Sequence, residues 1–370
     1  MKTFFDLQKE VVERGLCHRC GGCVSLCTAV NYGALELGPD GHPRYKDVDR
    51  CIECGLCHAA CPENPELEAE TRQRLAWSAP IGRILGIRVA RALDPQVRQQ
   101  ATDGGVVTAL LLHLLDTGHI DGAIVARQTG PFHREPTLAV RREEILEGAG
   151  FHFDTTHSMV GLGREYAHRH GLDLVSPKIL KGLHRVALVG TPCQIHAFRR
   201  LETLGVMPSE SVALCLGLFC SGNFAFGEEE RARLAEAGGF SWADVVKINV
   251  KDTFQVHLRS GDVIELDLHI LDTMKHPACH YCQDYAAEVA DISFGGIGAP
   301  EGWTTVVSRT PKGRAAFLDT LGHTVEEYDR TGQPDLADRV LEQLMRASAA
   351  KRRHAQAFRE QMTRGASTRR

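Results

Sequence analysis

Twelve of the thirteen cysteines in this 370-residue chain fall into three groups, and no other feature restricts the fold as tightly. Two groups are local, Cys17, Cys20, Cys23, Cys27 and Cys51, Cys54, Cys57, Cys61, and both read C-x2-C-x2-C-x3-C. The third is scattered over Cys193, Cys220, Cys279 and Cys282, which leaves Cys215 over. Met1 to Glu10 carries Asp6, Lys9 and Glu10 and lacks the apolar stretch and small-residue cleavage site of a secretory leader, so a cytoplasmic chain is expected. Reducing pools there oppose a disulfide framework, and metal ligation becomes the default use of so many thiols.

The local spacing matches the bacterial ferredoxin run, and Pro62 follows the second run at once. Three thiolates of such a loop cap three corners of a [4Fe–4S] core, while the fourth cysteine serves the other core. Crossed ligation is therefore expected: Cys17, Cys20, Cys23 and Cys61 around cluster I; Cys51, Cys54, Cys57 and Cys27 around cluster II. Thr28, not proline, follows the first run, which changes the turn but removes no ligand. Zinc at two C-x2-C pairs would leave four thiols unused. Gly21, Gly22 and Gly55 suit a backbone that wraps an inorganic core closely. Asp40-Gly41 marks a turn between the two half-repeats.

The remaining chain is long enough for one or two further packed units. A polar stretch with Pro65 and Pro80 reads as a connecting arm over 66–86, ahead of a second unit starting near Ile87. Ile87 to Ala92, Gly122 to Ala126 and Val186 to Val189 read as strands; Val106 to Asp116 and the stretch from Pro192 through Leu201 read as helices. The alternation predicts an α/β fold with a mostly parallel sheet. Thr102 to Gly105 sits at a helix N-terminus, where free amides can hold a phosphate, but an ordinary tight turn reads the same way and no G-x-G-x-x-G accompanies it. The longest apolar run, Val106 to Leu115, contains His113 and falls short of the ~18 residues of a membrane span. A formal charge of −4 gives no reason to expect nucleic acid or an anionic membrane as partner.

Chemistry alone leaves the scattered cysteines open between buried core thiols, zinc with His276 or His280, and a redox dithiol. Lys275 and His276 beside the pair could donate protons or face solvent. His113, His119, His133, His152, His157, His168, His170 and His184 show no ligand spacing and read as surface or satisfied core groups. Cys215, in an apolar stretch, reads as a core thiol. From Pro334 on, Leu336, Val340, Leu341, Leu344 and Met345 recur at helical spacing before a basic end with Lys351, Arg352, Arg353, Arg369 and Arg370, which predicts a docking helix with a solvated terminus.

Several separated motifs carry a likeness that settles more. They are Thr102-Asp103-Gly104-Gly105-Val106-Val107-Thr108-Ala109-Leu110, Gly190-Thr191-Pro192-Cys193-Gln194, Gly217-Leu218-Phe219-Cys220-Ser221, and Cys279-x-x-Cys282-x-Asp284 leading to Ala290-Asp291-Ile292-Ser293-Phe294-Gly295-Gly296. Gly302 to Val306 and Arg309 to Gly313 continue them. Over residues 85–320 the chain resembles the family of beta subunits of coenzyme F420-reducing hydrogenases and related dehydrogenases. The resemblance implies a domain that binds FAD and a third [4Fe–4S] cluster, the latter on Cys193, Cys220, Cys279 and Cys282. It puts the flavin on Thr102, Asp103, Gly104, Gly105, Val106 and Thr108, and on Gly295 and Gly296.

The organisation expected is a two-cluster ferredoxin-like domain (1–65), an arm (66–86), an α/β flavin- and cluster-binding domain (87–330) and a helical tail (331–370). A flavin exchanges electrons in pairs and each cluster carries one, so the resemblance implies an oxidoreductase joining one-electron carriers to a two-electron organic substrate. Coenzyme F420 ranks first as that substrate, with ferredoxin on the other side. The alternatives are a relay subunit of a hydrogenase, formate dehydrogenase or heterodisulfide-reductase-like complex, and a ferredoxin-dependent reductase of a chlorophyll-type tetrapyrrole.

Overall fold

The computed structural model describes residues 2–30, 32–130, 133–150, 158–169, 185–250 and 253–367. Met1, His152, His157, His170, His184, Arg369 and Arg370 lie outside the described residues.

Each local cysteine run is a loop that ends in a helix, Gly22–Ala29 after the first and Leu56–Ala59 after the second. Gly21 and Gly55 start these helices at φ 82° and 73°, left-handed values that suit glycine. Two residues earlier, Arg19 and Glu53 are also left-handed, at φ 54° and 53°. The same backbone is thus built twice, which makes the runs an internal repeat in shape as well as spacing. Strands β1 (Leu35–Leu37) and β2 (Pro43–Tyr45) form the antiparallel hairpin around Asp40-Gly41. Phe4, Leu7, Val24 and Leu35 pack with Cys27 and Cys57 in a small core.

The larger body is built on strands β3 (Gly86–Ala92), β4 (Gly122–Gly130), β5 (His133–Ala139), β6 (Val186–Gly190) and β7 (Val212–Leu218). A separate three-stranded antiparallel sheet of β8 (Val245–Val250), β9 (Phe254–Leu258) and β10 (Val263–Leu266) interrupts them; sequence reading did not anticipate it. Strands β11 (Ile292–Gly295), β12 (Thr304–Ser308) and β13 (Val325–Glu327) complete an eight-stranded sheet of order β13-β3-β12-β11-β7-β6-β4-β5. Only the central β11, β7, β6 and β4 are mutually parallel; the four flanking pairs are antiparallel, so the sheet is mixed and not mostly parallel. The physical reason is connection length. The loop from Gly295 to Thr304 is too short for the crossover of a dozen or more residues that a parallel return needs.

Central β6 and β7 are continuous apolar runs because both their faces are covered. Ala187 faces the core that contains the helix Val106–Asp116, while Val186 and Leu188 face the core that contains the helix Pro192–Leu204. Cys215 is fully buried in the second core, and His113 is a buried residue bonded to Asp319 at 2.8 Å. The stretch 66–86 is more than a polar arm: it forms the helix Glu68–Arg74 and buries Ile81 against Ala286, Val307 and Leu344. The helix Leu336–Ser367 lies on its own chain, with Leu336, Val340, Leu344, Ser348 and Ala355 buried.

Two close approaches lock the cysteine-rich unit to the body. A Cβ on Gly22 would stand 2.9 Å from that of Ala197, and one on Gly163 would stand 2.3 Å from the carbonyl oxygen of Ser25. Arg200, 1% exposed, reaches across and donates to the carbonyl of Cys61 at 2.8 Å and to Glu68 at 3.0 Å.

Candidate functional site

The eight local cysteines line two small cavities, and they divide as crossed ligation requires. One cavity is walled by Cys27, Cys51, Cys54 and Cys57, the other by Cys17, Cys20, Cys23 and Cys61. Among the described residues no three His, Cys, Asp or Glu side chains close in on a point suited to a single ion. The four thiols of each set line a common cavity, which suits a bulky iron–sulfur core. Burial pushes the Cys17 thiol up to about 11 and those of Cys57 and Cys61 up to about 12. Backbone N–H groups of Arg19, Gly22 and Glu63 point at the sulfurs of Cys17, Cys20 and Cys61 and favour the thiolate. A donor set buried this way and supplied with amides fits iron–sulfur ligation.

The scattered cysteines converge at the carboxyl ends of the parallel strands. Cys193 sits at the start of the helix that follows β6, Cys220 just beyond β7, and Cys279 and Cys282 on a loop held against both. Cys193 is close enough to Cys282 for their charges to interact, and Cys220 to both Cys279 and Cys282. Thr191 Oγ1 lies 3.3 Å from Cys193 Sγ, and the Asn223 amide donates to Cys279 Sγ at 3.3 Å. Burial disfavours the Cys279 thiolate, yet His18, the Asn223 amide and Lys351 together outweigh it and hold that pKa below the usual thiol value.

His18 comes from the first cysteine loop and is enclosed between the two sets. Its Nε2 lies 2.8 Å from Glu63 Oε1; burial lowers its pKa, but Cys279 and Glu63 together raise it well above the ordinary value. His276 contacts Arg19 of the same loop, and Lys275 faces Asp272 at 3.7 Å. From the opposite side Lys351 Nζ donates to the carbonyls of Cys220 at 2.6 Å and Asp284 at 2.8 Å. Burial lowers its pKa, but Cys282, Cys220, Asp284 and Cys279 together raise it more and favour the ammonium. Arg352 pairs with Glu288, which also accepts from Trp77 Nε1 at 2.9 Å. The basic end of the helix expected in solvent therefore puts Lys351 and Arg352 against the body.

Beside the scattered set opens a cavity of about 830 Å3, ample for a dinucleotide-sized ligand. Its wall includes Thr102, Asp103, Gly105, Val106, Thr108, Gly295 and Gly296. Gly104 is absent from that wall; its amide donates to Thr304 Oγ1 at 3.0 Å, and a Cβ there would lie 2.8 Å from the carbonyl of Ala90. Gly105 begins the helix Val106–Asp116 at φ 75° with no side chain capping it, so the first-turn amides and the helix dipole face the cavity. The two later glycines are small for the protein's own sake: a Cβ on Gly295 would stand 2.2 Å from Phe219 Cδ2, and one on Gly296 2.8 Å from Asp103 Oδ2. Phe219 and Tyr285, with ring centroids 5.9 Å apart, line the end nearest Cys220, which is itself part of the wall. Sequence reading missed His18, Tyr285 and Lys351; the signal for the last was a lysine seven residues after Leu344 and four before Ala355, on the buried helical face.

Among the described residues no helix is long and apolar enough to cross a membrane. Residues 9–62 match the 4Fe-4S dicluster domain. Residues 87–162 and 183–329 match the N-terminal and C-terminal parts of the coenzyme F420 hydrogenase/dehydrogenase beta subunit. The coenzyme F420 hydrogenase subunit beta of Methanococcus voltae is 35% identical over 243 residues, covering 64% of this chain and 81% of that one. One of the subunits of the F(420)H(2) dehydrogenase of Methanosarcina mazei is 26% identical over 317 residues, 83% of each chain. A chain of the F420-reducing [NiFe] hydrogenase complex from Methanosarcina barkeri superposes with a TM-score of 0.67 and 28% identity, covering 77% of this chain and 94% of that one. The cysteine-rich unit and the body thus answer to two known modules joined in order, and the chain belongs to the family of coenzyme F420 hydrogenase/dehydrogenase beta subunits as an iron–sulfur electron-transfer protein of the oxidoreductase type.

Proposed function

We propose that this chain moves electrons between one-electron carriers and coenzyme F420, with three [4Fe–4S] clusters on its twelve grouped cysteines and FAD in the large cavity. The observation that carries the reading is Cys220, which belongs both to the scattered thiol set and to the cavity wall. The thiol sets also follow one another in space. Cys57 of one set is within electrostatic reach of Cys23 of the next, and Cys20 of that set is within reach of Cys193. Set by set, the order is Cys27/51/54/57, Cys17/20/23/61, Cys193/220/279/282, then the cavity. When bound, FAD would exchange an electron pair with the organic substrate, and the clusters would carry those electrons singly.

The protein's part is to hold and insulate. First-turn amides of the helix Val106–Asp116 suit the pyrophosphate of the dinucleotide, and Asp103 and Thr108 suit its hydroxyl groups. Phe219 and Tyr285 close the apolar end towards Cys220 and keep water from the path. Exposed Ile52, between Cys51 and Cys54, supports docking of a one-electron partner at that outermost set. The similarity to a chain of a hydrogenase complex favours a docked protein subunit there, with free ferredoxin as the second reading.

Anaerobically purified protein should contain about twelve iron and twelve acid-labile sulfide per chain, four of each per cluster, with one releasable flavin. It should bleach oxidised F420 when supplied with a reduced one-electron donor. Iron near eight without flavin would leave a two-cluster carrier and end this reading of the cavity.

A further inference from the structure

We propose that Lys351 is the built-in counter-charge of the scattered cysteine set, tying its loops together and making that site easier to reduce. The inference rests on the reading of Cys193, Cys220, Cys279 and Cys282 as a cluster-binding set. The helix carrying the lysine, Leu336–Ser367, lies beyond the C-terminal family-model match, which ends at residue 329.

The geometry is that of a clamp. Lys351 Nζ takes the carbonyl of Cys220 from one loop and that of Asp284 from another, at 2.6 and 2.8 Å, and those loops carry Cys220 on one side and Cys279 and Cys282 on the other. Its stem is partly exposed, while the ammonium is enclosed. Three thiols, Cys282, Cys220 and Cys279, lie within reach of its charge, as does the Asp284 carboxyl. Glu288, the next acidic group on that face, is occupied by Arg352 and Trp77. Lys351 donates to carbonyl oxygens and not to sulfur, so it acts by charge and by position.

A cluster on thiolates is already anionic, and each electron adds one negative charge. A fixed cation in a low-dielectric setting lowers the free energy of the more negative state, and net charge around a cluster is a main determinant of its potential. One electron from a one-electron donor is then compensated on site, with no proton required. Lys351 is accordingly a positioning residue, which touches neither substrate nor sulfur.

The test is a redox titration of the full-length protein followed by electron paramagnetic resonance, with the third signal identified as the one absent from Cys282→Ala. Lys351→Met should shift the reduction equilibrium of that signal against the reduced state by about tenfold, about 59 mV for a one-electron couple, and leave the other two signals in place. Lys351→Arg should keep the wild-type value. An unshifted third signal in Lys351→Met overturns the proposal. Loss of about four iron from Lys351→Met but not from Lys351→Arg supports it, because charge then holds the loops. The same loss from both variants makes residue 351 a packing element and overturns it. A wild-type protein without a third signal removes the underlying reading instead, which the iron count reports separately.

Discussion

Cys282→Ala should abolish electron exchange with the organic substrate, lowering its rate at least about a hundredfold, the scale on which loss of a reacting group is felt. Iron should fall from about twelve to about eight per chain. The two sets at the N-terminus share no backbone with Cys282 and pack in their own core, so their signals should persist. Cys282 lies within electrostatic reach of both Cys193 and Cys220. Cys215→Ala is the control: its thiol is more deeply buried than that of Cys282 but lies in the sheet among Val186, Leu188 and Phe198, and its loss should leave iron unchanged. Iron analysis and a donor-to-F420 assay on the two variants check the pair. An unchanged iron count in Cys282→Ala would show that the scattered cysteines are not a ligand set.

The second large effect is on stability. Asp291, fully buried, receives the Cys215 amide at 2.8 Å and Thr310 Oγ1 at 2.7 Å. It sits 3.0 Å from Arg199 Nη2 and 3.3 Å from Lys312 Nζ. Asp291→Ala leaves Arg199 with Glu202 and the Val289 carbonyl, each at 2.8 Å, but orphans its Nη2, the Cys215 amide and the Thr310 hydroxyl in the core, and should cost about 3 kcal/mol. Lys312→Met should cost under about 1 kcal/mol, because the lysine is half-exposed and its charge is screened. Denaturant unfolding of both variants measures the difference, and equal costs would refute the assignment of Asp291 as the hub.

A pH dependence follows with a fixed sign. Burial raises the Asp291 pKa, but Arg199 and Lys312 outweigh it and hold the carboxyl below its ordinary value. Its contribution is therefore complete above the unfolded value of about 3.9 and drains away as pH falls through the lower folded value. Wild-type stability should drop below about pH 4, and Asp291→Ala should lack that part of the drop.

What could be read in advance followed from local chemistry. The two cysteine runs announce their loops because ligand spacing is a local property, and the cavities divide the thiols as the crossed scheme expects. The helix Val106–Asp116 and strand β6 were legible because continuous apolar runs bounded by glycine have few other uses. The scattered set was not legible from spacing, since Cys193 and Cys282 meet only after the sheet brings two distant loops to one edge; likeness to a family supplied it. The antiparallel flanks were missed because strand direction depends on connections, and the small sheet β8–β10 was missed because its short strands are only partly buried. Lys351 reads as a solvated charge beside its basic neighbours, and only its register with buried Leu344 and Ala355 on the helix sets it apart.

The glycine contacts between the cysteine-rich unit and the body carry one more consequence. With no room even for a methyl group at either glycine, Gly22 meets the Ala197 side chain and Gly163 the Ser25 backbone, and Arg200 bolts the second cysteine loop to the helix Pro192–Leu204. Such a joint leaves no hinge about which one part could swing towards the other and away again. Carriers that shuttle a tethered domain slow down in thickened solvent; this chain should conduct internally at the same speed in dilute buffer and in concentrated glycerol, and feel viscosity only when partners come and go.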